Sequence, residues 1–187
     1  MPFRFAPLPD MLLRNLGRYS RQEALQQALM SLHPPVRDLR QGHGTDPYHV
    51  GVESLGLDLM LQCMDPGLPD QGRLWGLHAL TFHAPLSRPA NPWKGEWPQG
   101  LDAATATSRD IVALLADQDD EAVLELPTMA CFLAPGFDGQ TWAVQCAFGG
   151  PAKTLKTLSL VRTGDWVGAS WLPAGHARSA HPDGAMP

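Results

Sequence analysis

Apolar residues occupy every second position in two separate stretches of this chain: Leu55, Leu57, Leu59 and Leu61, then Trp142, Val144, Cys146 and Phe148. Successive side chains of an extended strand point to opposite faces, so a period of two marks a strand with one face buried. The chain must therefore build a sheet and cover one side of it. Leu74 to His83 reads as a strand returning from the first stretch, across a turn cluster that holds Asp65, Pro66, Gly67, Pro69, Asp70 and Gly72. Leu155, Leu158, Leu160 and Val161 return from the second, across Gly149, Gly150 and Pro151. Strands joined by such turns pair antiparallel. Val123 to Leu133 is also strand-like, but Pro127 cannot donate to a ladder, so the segment is an edge strand or two short ones.

The period changes elsewhere. Met11, Leu12, Leu13 and Leu16 form an apolar stretch that stops at Gly17. Ser20 and Glu23 have the spacing of a capping box, in which each side chain satisfies a backbone N–H of the first helical turn. Leu25, Ala28 and Leu32 follow at helical spacing, with Met30 beside them, and Pro34 and Pro35 end the helix. Thr107 and Asp110 form a second box ahead of Ile111, Val112, Leu114 and Leu115. The expected fold is α+β: an N-terminal helical hairpin, an antiparallel curved sheet of about five or six strands, and one short central helix. Residues 1–172 are expected to form one domain and 173–187 a flexible C-terminal tail, since the tail is mostly Ala, Gly, Pro, Ser and His.

Composition narrows the function. Arg and Lys number 14 against 19 Asp and Glu, for a formal net charge of -5. A nucleic-acid binder draws most of its affinity from phosphate neutralisation, and no basic face is legible here. No apolar run reaches the ~20 residues of a membrane helix, and none near the start has the length of an export signal. Three cysteines, Cys63, Cys131 and Cys146, without a CxxC pair suit reduced thiols in a cytoplasm.

No motif specific for catalysis, nucleotide binding or a cofactor is present. Expected catalytic residues and cofactors are therefore none. His43, Asp46 and His49 recur every third position, as zinc ligands can, but Pro47 interrupts the segment and no second motif converges on it, so it reads as a polar loop. His78 and His83 are five apart on one strand and are expected on opposite faces. A site assembled from His43, His49 and Cys63 is the enzymatic alternative.

Five acidic residues, Asp117, Asp119, Asp120, Glu121 and Glu125, lie within nine positions. Like charges at such density suit solvent, or the Lys and Arg side chains of a partner. Trp93 and Trp97, in a proline-rich crossing, are the expected apolar anchors of the same contact.

The order of Gly100, Leu101 and Asp102, the capped segment Thr107–Leu115, and the Gly139 to Trp142 strand start resembles bacterial immunity proteins of polymorphic-toxin systems, of the contact-dependent inhibition or type VI secretion kind. The likeness covers the C-terminal half and lies in layout. It implies a cytoplasmic protein that binds and neutralises the C-terminal domain of a cognate toxin, many of which are basic nucleases. The alternative is a secretion-system adaptor or chaperone that holds an apolar segment of its cargo near Trp93 and Trp97.

Overall fold

A computed structural model describes residues 10–16, 23–32, 47–63, 67, 75–85, 91–115, 124–126, 128–135 and 141–162. Among these, seven strands form one sheet: β1 (Tyr48–Val52), β2 (Leu57–Cys63), β3 (Trp75–His83), β4 (Leu124–Leu126), β5 (Met129–Pro135), β6 (Thr141–Gly149) and β7 (Thr154–Arg162). Their order across the sheet is β1-β2-β3-β7-β6-β5-β4, and every neighbouring pair is antiparallel. The strand beyond the expected five or six is β4, three residues long. It is the near half of the segment that proline divides.

Two meanders meet at the centre, where β3 lies against β7. Between β3 and β4 the chain crosses from the middle of the sheet to its far edge. It carries α3 (Ser108–Leu115) on the way. The helices α1 (Asp10–Arg14) and α2 (Glu23–Met30) precede the sheet.

All three helices bury their apolar stripes on one face. Leu12, Leu13, Leu16, Leu25, Ala28 and Leu29 join Ile111, Leu115 and the sheet residues Leu57, Leu59, Phe82, Phe132, Trp142 and Leu160 in a single cluster. Each such aliphatic or aromatic side chain contributes about 1.5–3 kcal/mol when fully buried. Leu25, Ala28 and Leu32 are buried as their spacing predicts; Leu29 joins them, and Met30 is exposed.

The alternation is reset at two places. In β2–β3 the pairs Met60–Ala79 and Leu61–Leu77 leave His78 as an extra residue. Trp75 and Leu77 before it, and Leu80 and Phe82 after it, therefore reach the same core although their numbering changes parity. A second shift between Ala147 and Phe148 does the same for Leu155 and Leu158. An extra residue in one strand is a β-bulge, which keeps an apolar set on one face across a local bend.

The box at α3 forms as the spacing predicts. Asp110 Oδ2 accepts hydrogen bonds from Thr107 N (2.9 Å) and Thr107 Oγ1 (2.7 Å). Asp102 closes the preceding turn by accepting from Ala104 N and Thr105 Oγ1. Ser20, of the other expected box, lies outside the described residues, as do 163–187.

Candidate partner-binding site

The expected partner-binding residues separate. Trp93 is 4 % exposed and belongs to the main core. Its ring meets Phe82 edge-on, and its Nε1 donates to Glu96 O at 3.2 Å. Backbone bonds from Trp93 N to His83 O and from Lys94 N to Leu55 O tie the crossing to the first meander. Trp97 is half-buried and packs on the same Phe82. An anchor must present its area to a partner, and Trp93 has already given that area to the fold. This is a correction to the sequence expectation for Trp93.

Gly56 explains why the crossing sits so close. It has φ +70, and a Cβ there would lie 2.1 Å from the carbonyl carbon of Pro92. Only glycine allows both that backbone conformation and that approach.

Asp117, Asp119, Asp120 and Glu121 lie outside the described residues. They lead in sequence into β4, the sheet edge, where Glu125 pairs in register with Ala130. Leu126 pairs with Met129 and is 43 % exposed. Among the described strands, none lies beyond β4. An exposed apolar side chain on a sheet edge is a place where a second protein can gain apolar area.

The histidine and cysteine expectations also resolve in part. His43 and Asp46 lie outside the described residues, whereas His49 is exposed on β1. His49 pairs with Met60, and Cys63 follows Leu57, Leu59 and Leu61 into the core, so His49 and Cys63 face opposite sides of the sheet. The assembled site of His43, His49 and Cys63 therefore does not form as expected. Among the described residues, no three His, Cys, Asp or Glu side chains group as metal ligands. Burial pushes the Cys131 thiol up to about 11. It pushes Cys146 higher still, with the neighbouring Cys131 adding to the effect. Both are poor nucleophiles at neutral pH.

The sheet face away from the helices holds a feature that the sequence reading missed. Asp58, Thr81, Ser159, Gln145 and Cys131 lie side by side in one row across β2, β3, β7, β6 and β5. Thr81 Oγ1 and Ser159 Oγ share a hydrogen bond at 2.8 Å, and Asp58 Oδ2 is 2.8 Å from His83 Nε2. A carboxylate only accepts, so the Nε2 proton is donated to Asp58. The apolar row beside it, Met60, Ala79, Val161, Ala143 and Leu133, forms a second, smaller cluster. A signal was available: Asp58, Thr81, His83, Gln145, Thr157 and Ser159 all occupy the off-beat positions of their strands.

No described helix is long and apolar enough to cross a membrane. Comparison with known proteins gives no match to a family model, to a curated protein or to a solved structure.

Proposed function

We propose that this protein acts by direct contact with a protein partner, and that the partner is the C-terminal domain of a toxin which it neutralises, as in the immunity proteins whose layout it resembles. The observation that supports this reading is the β4 edge: an exposed Leu126 on a three-residue strand that directly follows the acidic run. Opposite charge steers association and selects the partner, while desolvated apolar contacts hold it. A basic surface, such as that of a nuclease, is the complement of Asp117, Asp119, Asp120, Glu121 and Glu125.

The test is a growth assay. The C-terminal domain encoded beside this chain is expressed in a bacterial host with and without it. Arrested growth that this chain restores supports the proposal. A harmless neighbour, or toxicity that persists, removes it for that partner.

A further inference from the structure

We propose that the accessible corner around Asp58, on the sheet face away from the helices, receives an arginine side chain of the protein partner. This deepens the binding reading above and rests on it for the identity of the partner, though not for the chemistry of the corner. Asp58 is 36 % exposed, and His83, which is 12 % exposed, holds its Oδ2. The carboxylate is therefore fixed in one orientation. Its other oxygen points to the sheet edge. There Gly51 pairs directly with Asp58, and a Cβ at position 51 would lie 3.3 Å from Oδ1 and, among the described residues, within 4 Å of no other atom beyond its chain neighbours.

The absence of a side chain at 51 thus leaves a notch that opens onto a charged oxygen. Gly51 and His49 are both exposed, so the notch is reached from the edge. Met60, half-buried in the next row, gives the aliphatic stem of an incoming side chain an apolar wall. Thr81 lies directly across from Asp58, its hydroxyl oriented by Ser159. Thr81 is on the β3 side of Asp58, away from the notch, so Oδ1 is the acceptor that a planar guanidinium in the notch meets. A guanidinium is more weakly hydrated than an ammonium, so it is the cation better suited to a half-exposed carboxylate oxygen beside an apolar wall. Among the described residues, His83 is hydrogen-bonded to Asp58 through Oδ2.

The experiment uses the whole chain alone, so it does not depend on a toxin. N-acetyl-arginine amide is titrated at low salt while the ring protons of His83 are followed by NMR, with N-acetyl-citrulline amide as the neutral isostere. The expected result is a saturable shift with arginine and binding at least about tenfold weaker with citrulline, a difference of the size expected for losing one charge-assisted contact. Asp58→Asn is expected to abolish the preference. Gly51→Val fills the notch with a good strand former and is expected to weaken arginine binding severalfold while leaving the sheet intact. Equal binding of the two probes, or an unchanged preference in both variants, overturns the proposal. If toxicity is not relieved but arginine binds at Asp58, the immunity reading fails and the corner stands. If toxicity is relieved but the probes do not distinguish, the reverse holds.

Discussion

The indole of Trp93 and the ring of Phe82 meet edge to face, centroids 5.2 Å apart and planes at 84°. Together with the backbone bonds at Trp93 and Lys94, this contact fastens a proline-rich crossing to the sheet. Replacing Trp93 with Ala removes the ring and leaves a cavity, so the expected loss is about 3–5 kcal/mol. Trp97→Ala, at a half-buried position that also packs on Phe82, should cost less, about 1–2 kcal/mol. Chemical denaturation of both variants checks the order. Equal losses would mean that Trp93 is not the fastening.

Gly56 and Gly100 separate two reasons for glycine. Both have positive φ, but a Cβ at Gly56 meets the Pro92 backbone whereas one at Gly100 meets nothing within 4 Å among the described residues. Gly100→Ala should carry only the conformational cost, about 1–2 kcal/mol. Gly56→Ala should exceed it, because the crossing must also move. Thermal unfolding of the two variants gives the comparison directly.

Thr107 and Asp110 give an acid-limb prediction. Hydrogen bonds from Thr107, side chain first and backbone second, hold the Asp110 carboxyl below its ordinary value of 3.8. A group whose folded value is lowered adds stability that is fully present above its unfolded value and is lost as pH falls through the folded one. Asp110→Asn should therefore flatten the stability profile below about pH 4. At neutral pH, Thr107→Ala should cost about 1 kcal/mol through the lost cap.

The cysteines should be silent until the chain unfolds. With Cys131 raised to about 11 and Cys146 buried beside it, alkylation of the native protein at pH 8 should spare both. In denaturant all three thiols should react. Peptide mapping locates the label, and rapid native labelling of Cys146 would contradict its burial.

Charge reversal at Asp119 and Asp120 should weaken the proposed complex. The wild-type affinity should fall as salt screens the contact, over a screening length of about 8 Å at 0.15 M. Calorimetry at two salt concentrations measures both effects. Affinity unchanged by reversal would move the contact away from the acidic run.

Local rules were legible in the sequence where neighbouring residues decide the outcome. Trp142, Val144, Cys146 and Phe148 point where their alternation says, and the Thr107 box forms on spacing alone. The proline between Leu126 and Thr128 does separate two strands. The bulge at His78 left a trace in the apolar positions 75, 77, 80 and 82, which change parity, but reading it needs the partner strand. Trp93 was misread because its burial depends on where a non-periodic segment crosses, which no short window contains. The off-beat positions marked the members of the row from Asp58 to Cys131, but their alignment was not legible, for a related reason. Its members come from strands whose order depends on the β3–β7 pairing, and Thr81 and Ser159 are 78 residues apart.

That central pairing also sets a timetable for synthesis. A ribosome delivers β1, β2 and β3 first, as a meander whose inner edge is bare until residues 154–162 have emerged. Closing so long a loop is entropically slow compared with making a hairpin, and an uncovered strand edge invites pairing with other chains. The nascent first meander is thus the stage at which this protein is most exposed to misassembly, and β7 is the element that ends that exposure.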